Sequence, residues 1–219
     1  MSTLVDRLKT IENFSIQNNL RNKISVFENS LQQKNLIEVG EQLRVNQFDP
    51  SVLEAALQIK DIVGQINTII HAWGILVSLP YILLPEEKVE FVSLGAGNTG
   101  KQFDLKTTMR VAEFKFITWK GGPESIRQNS LFKDFHNLVE NGGNLEKYLY
   151  VTGIEHPNRF FNSTRDLKSV LSKDRYLSDL FFEKYQNRYT KVNQYYRDFK
   201  NSVKIVDLKN IVPEFSKYA

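Results

Sequence analysis

The chain of 219 residues contains no cysteine, which excludes a disulfide framework and a thiolate zinc site. Its three histidines, at positions 71, 136 and 156, are too scattered to supply a zinc site of their own. A reducing, cytoplasmic setting fits that composition. The opening MSTLVDRLKT places Asp6, Arg7 and Lys9 where a signal peptide would carry its apolar stretch, so nothing there directs export. The longest apolar run, from Ile69 to Leu84, is interrupted by His71, Gly74 and Pro80. It is too short for a membrane span and reads as buried core, so no membrane partner is expected.

What is present is 41% apolar and 12% aromatic residues, enough for one main domain with a small appendage. Three segments are expected: a helical arm over 1–48, a central domain over 49–154, and a basic, aromatic, helical region over 155–219 packed on the centre. The net charge of +4 is unevenly spread, because residues 155–219 carry 13 basic and 8 acidic side chains while 49–154 carry 10 and 12. Such a division suits a C-terminal part that meets a polyanion and a middle that holds a cation.

Residues 1–46 read as helix, since Leu4, Leu8 and Ile11, then Leu20, Ile24, Phe27 and Leu31, recur at helical spacing. Both a dimerisation arm joining two copies and a helix packed on the main domain fit. Asp49-Pro50 starts a core helix on which Val52, Ala56, Ile59, Val63, Ile66, Ile70 and Trp73 form one stripe. His71 reads as a hydrogen-bonded core residue. VEFVSL, QFDLKTT and RVAEFKFITW are then three strands, and a helix over about 124–140 follows Gly121-Gly122-Pro123. KYLYVTG is a buried fourth strand. Past His156 the pattern is loop-rich, then helical from Arg175 through Phe199, with Lys184, Arg188, Lys191 and Arg197 along that helix, before VKIVDL supplies a short edge strand. The fold class is α/β (α+β), with helix, three strands, helix and strand making a sandwich.

The segment Gly95 to Lys101, GAGNTGK, matches a dinucleotide pattern and most of a phosphate-loop pattern. Both need a helix to begin there, and the next residues alternate like a strand, with Gln102 where serine or threonine would be required. A glycine-rich hairpin that presents Asp104 is the better reading; a nucleotide-binding protein is the alternative it leaves.

Glu113 and Lys115 lie two apart in a strand and leave the same face, while Ala112, Phe114 and Phe116 point the other way. Charges on a half-buried strand are costly without compensation, which a cation held by carboxylates supplies. A turn near Thr107-Thr108 brings Asp104 beside Glu113. Two such carboxylates suit Mg²⁺ or Mn²⁺, and Lys115 adds a point charge for phosphoryl chemistry. Gln128, on the inward face of the next helix, is a candidate fourth member. Arg127, Lys133, Lys101 and Lys120 are candidate phosphate contacts.

The block FDLKTTMRVAEFKF, with its Asp104, Glu113 and Lys115, followed by a helix bearing Gln128, resembles the PD-(D/E)XK nuclease superfamily across roughly Asp49 to Gly153. The resemblance implies a restriction-endonuclease-like sandwich around a central mixed sheet. It implies a metal held by Asp104, Glu113 and the Phe114 carbonyl, a water assisted by Lys115, and cleavage of DNA ahead of RNA in restriction, repair or phage defence. Phe103 stands where the family has its leading proline. A catalytically idle nucleic-acid-binding or assembly module of the same fold is the rival expectation.

Overall fold

The structure, a computed structural model, describes residues 3–15, 20–45, 49–95, 100–116 and 124–216. Lys120 and most of the Gly95–Lys101 segment lie outside these, as does Gly121-Gly122-Pro123. Two compact units, Met1–Asn67 and Thr68–Ala219, divide inside one long helix, not at residue 48. Residues 155–219 belong to the second unit together with the sheet.

The first unit holds α1 (Leu4–Ser15), α2 (Leu20–Leu31), α3 (Leu36–Val45) and the start of α4 (Ser51–Ile82). Caps mark where two of these helices start. Asn35 Oδ1 accepts from Glu38 N–H at 3.1 Å while Glu38 Oε2 accepts from Asn35 N–H at 2.9 Å, a reciprocal box that starts α3. Asp49 Oδ1 accepts from Ser51 N–H at 2.8 Å at the head of α4.

The expectation that the α4 stripe is core needs correction. Only Ala55 is buried in its first half, and Val63, Ile66, Ile70 and Trp73 are exposed. By length and composition alone this helix is apolar enough to cross a membrane. Burial resumes at Ile75, Ser78 and Ile82, where this last stretch packs on the sheet. Gly74 permits the approach: a Cβ there would meet the Phe116 ring at 2.6 Å.

The second unit is mixed α/β, built on an open five-stranded sheet in the order β1 (Val89–Val92), β2 (Leu105–Thr107), β3 (Arg110–Lys115), β4 (Glu146–Val151), β5 (Lys204–Asp207). The first three strands pair antiparallel, and β3, β4 and β5 pair parallel. The parallel step from β3 to β4 is bridged by α5 (Ser125–Asn141), as a crossover requires. Alternation along the strands sorts the core into two layers. Val111, Leu149 and Val151 pack with Leu131, Phe135 and Leu138 of α5, whereas Ala112, Phe114 and Tyr150 pack with Ile75 and Ile82 of α4 and with Val212.

The C-terminal region is more helical, and more broken, than its sequence suggests. The stretch expected to be loop carries α6 (Glu155–Phe161) and α7 (Leu167–Leu171), the latter capped by Asp166, whose Oδ1 accepts from Lys168 N–H at 2.9 Å. The single helix expected from Arg175 is two, α8 (Arg175–Tyr185) and α9 (Val192–Phe199). Gln186 at φ 49° ends the first, and Gln194, accepting from Lys191 N–H at 3.1 Å, starts the second. The aromatic periodicity runs through the break because both helices fill one core, with Phe181 and Tyr195 at 5.3 Å between ring centres.

One ionic cluster holds the end of the sheet farthest from Lys115. Arg110 forks onto Glu87, Nε to Oε1 at 2.7 Å and Nη2 to Oε2 at 2.6 Å, and donates to Tyr150 Oη at 3.1 Å. Thr107 Oγ1 adds a hydrogen bond to Glu87.

Candidate active site

Pairing of Leu105 with Ala112 and Lys106 with Val111 fixes the β2–β3 register, and continuing it puts Asp104 opposite Glu113. Asp104 sits just before β2, its Oδ2 accepting from Phe114 N–H at 2.9 Å. The carboxylates thus meet across the turn as the sequence suggested. No helix begins at Lys101 among the described residues, and the chain passes from there into β2, with Gly100 at φ 72°.

Three further side chains converge there that the sequence reading did not assign. Asp134, in the middle of α5, meets Lys115 Nζ at 2.5 Å through Oδ2, with side-chain exposures of 15% and 19%. Asn137, one turn on, donates to Glu113 Oε1 at 3.2 Å and to the Gln102 carbonyl at 2.8 Å. His71 Nε2 lies 3.4 Å from Asp104 Oδ1 and 3.3 Å from the Ser93 carbonyl, so the expected core histidine sits beside a candidate ligand.

The electrostatics follow from crowding charges in a poorly hydrated place. Burial, then the Asp134 and Asp104 charges, push Glu113 up to about 9. Burial likewise pushes Asp134 up, against the pull of Lys115. Lys115 would fall through burial, but Asp134, with Asp104 and Glu113 behind it, outweighs that and holds the ammonium above its ordinary range. The hydrogen bond to Asp104 raises His71. Three carboxylates around one lysine leave an excess of negative charge. Among the described residues no three acidic or histidine side chains close in as a preformed metal cluster.

The remaining candidates are placed elsewhere. Gln128 turns to Arg165, which donates to its Oε1 and to Asn129 Oδ1, so the site-facing polar residues of α5 are Asp134 and Asn137 instead. Six residues separate Gln128 from Asp134, about 120° of rotation around the helix, which aims them differently. Arg127 is exposed and pairs with Glu124 at 2.9 Å, and Lys133 pairs with Asp174 at 2.7 Å. Lys101 holds its ammonium 5.2 Å over the Phe91 ring. Of the basic residues assigned to the C-terminal helices, Lys184, Arg188 and Lys191 are tied to Glu140, Asp198 and Asp166.

Comparison with protein families, with curated proteins and with solved structures finds no match for this chain.

Proposed function

We propose that the chain is a metal-dependent nuclease with a restriction-endonuclease-like sandwich, hydrolysing phosphodiester bonds of DNA. The observation that carries this is the convergence of Asp104, Glu113 and Asp134 around Lys115, with Glu113 pushed up to about 9. Asp104 and Glu113 are hard oxygen donors of the kind that Mg²⁺ or Mn²⁺ takes, and such a cation would relieve the repulsion that the single ammonium leaves. An antiparallel β2–β3 pair, a crossover helix and a parallel β4 supply the matching scaffold.

Asp104 and Glu113 would hold the metal, joined by the Phe114 carbonyl between Glu113 and Lys115, with His71 within reach of Asp104. When bound, the cation polarises a phosphate oxygen and lowers the pKa of water. Lys115 offsets charge that develops on the phosphate and orients the attacking water by hydrogen bonding. Asp134 fixes where that ammonium sits, and Asn137 fixes the Glu113 carboxylate.

The test is incubation with plasmid, linear duplex, single-stranded DNA and RNA, in Mg²⁺, Mn²⁺ or EDTA. The expected result is metal-dependent cutting of at least one DNA, abolished by Asp104→Asn. Binding without cutting under every metal condition would return the protein to the class of idle nucleic-acid-binding modules.

A further inference from the structure

A cavity of about 370 Å³ lies at the side of the sheet that faces α5, with Phe91, Gln102, Lys106, Val111, Asn141 and Asn144 in its wall. Val111 precedes Glu113 by two residues on the same face of β3, about 7 Å along the strand. A chain of amides joins the two places. Asn141 Nδ2 donates to Asn137 Oδ1 at 2.8 Å, and Asn137 in turn donates to Glu113 and to the Gln102 carbonyl.

The wall chemistry is mixed in an informative way. Phe91 offers an aromatic surface, and Lys101 Nζ stands 5.2 Å from its ring centre. Gln102, Asn141 and Asn144 bring side-chain amides that both donate and accept. Lys106 stands in the wall with its ammonium 2.7 Å from Glu90. An aromatic plane, amide edges and a lysine suit a nucleotide unit, with the base on the ring and the phosphate at the cation.

We propose that this cavity receives one unpaired nucleobase of the substrate strand, about one nucleotide from the bond that is cut. The base takes the place of the Lys101 ammonium over the Phe91 ring, its polar edge meets Gln102, Asn141 and Asn144, and the displaced Lys101 meets the neighbouring phosphate. A base inside a duplex is stacked and paired, so it reaches a walled cavity only from a single strand or an opened end. The preferred substrate is therefore single-stranded or frayed DNA. This rests on the nuclease reading for the position of the cut, but not for binding.

The experiment measures binding by fluorescence anisotropy in EDTA, where no cutting occurs, with full-length protein. Labelled single strands of about 20 nucleotides are compared with hairpin duplexes and with single strands carrying one abasic position. The expected result is at least about tenfold tighter binding of the single strand than of the duplex. Phe91→Ala should remove about tenfold of single-strand affinity, within the range of one lost base stack, and leave duplex affinity unchanged. Phe91→Trp should retain it.

Phe91 also packs on the core, so the abasic scan on unaltered protein gives a second measure that needs no variant. One position in that scan should weaken binding far more than its neighbours. Equal affinity for duplex and single strand, or a flat abasic scan, would overturn the proposal. If the protein cuts nothing yet keeps the strand preference and the abasic minimum, the nuclease reading fails while the cavity assignment stands. If it cuts but ignores Phe91 and abasic positions, the cavity assignment alone fails.

Discussion

The ammonium of Lys115, on the last residue of β3, meets the Asp134 carboxylate of α5 at 2.5 Å, although neither sequence pattern nor spacing links them. Lys115 faces three carboxylates, whereas Asp134 has Lys115 as its ion-pair partner and a weaker pull from Lys133. The two partners are therefore unequal. Lys115→Met leaves the Asp134 carboxylate without its ammonium in a poorly hydrated pocket and should cost about 3 kcal/mol, the scale of breaking a buried pair. Asp134→Asn leaves the ammonium still near Asp104 and Glu113 and should cost roughly half of that. Urea unfolding in EDTA measures both, and equal losses would show that the three carboxylates do not share the lysine.

Glu113 makes the metal-free protein sensitive to alkali. Its folded pKa of about 9 lies above the unfolded carboxylate value, so the folded state binds more protons through that interval. Stability is then greatest below the unfolded value and declines as pH rises towards 9, at up to about 1.4 kcal/mol per unit. Glu113→Gln removes the share of that dependence that Glu113 contributes, leaving that of Asp134, which burial also pushes up. In EDTA the variant should gain on the wild type steadily from about pH 6 to about pH 9, read by denaturant midpoint. Mg²⁺ should reverse the order by stabilising only the wild type.

His136 gives the opposite slope. Burial pushes it down to about 4, while Glu140 pulls up and Lys184 pushes down, and its Nδ1 lies 2.7 Å from Tyr195 Oη. The unfolded histidine protonates near 6.5, so between that value and about 4 the unfolded state binds more protons. Stability should fall as pH drops through this window, by about 3 kcal/mol in all. His136→Gln should flatten that acid limb. Parallel acid limbs in the two proteins would contradict this.

At the far end of the sheet, Arg110→Met should be among the most damaging substitutions outside the site. It strands Glu87, whose side chain is fully enclosed, and removes the donor to Tyr150. The expected loss is about 3 to 5 kcal/mol, whereas Lys204→Met, at an exposed pair with Glu146, should leave the unfolding temperature almost unchanged. Thermal unfolding of the two variants separates these outcomes.

Asp104, Glu113 and Lys115 were legible because strand geometry is local: period two fixes the face of Glu113 and Lys115, and a short turn fixes the partner strand. The order of strands around α5 followed from the same periodicity. His71, Asp134 and Asn137 were not legible, because the helix faces that carry them are chosen by packing on the sheet. The helical position of Asp134, three residues after Leu131, placed it beside the core stripe and was the one available signal. Gln128 shared its stripe with Phe132 and Phe135, so helical spacing assigned it inward, but that inward direction leads to Arg165 and not to the carboxylates. The α4 stripe misled for the reason that apolar periodicity identifies a face without saying what covers it.

The most direct measurement is the single-turnover rate of DNA cleavage in Mn²⁺ by the wild type and by Lys115→Met at matched protein concentration. The account predicts cutting by the wild type that EDTA abolishes, and a rate at least about a hundredfold lower for the variant at saturating metal. Equal rates for the two proteins, or cutting that persists in EDTA, would contradict it.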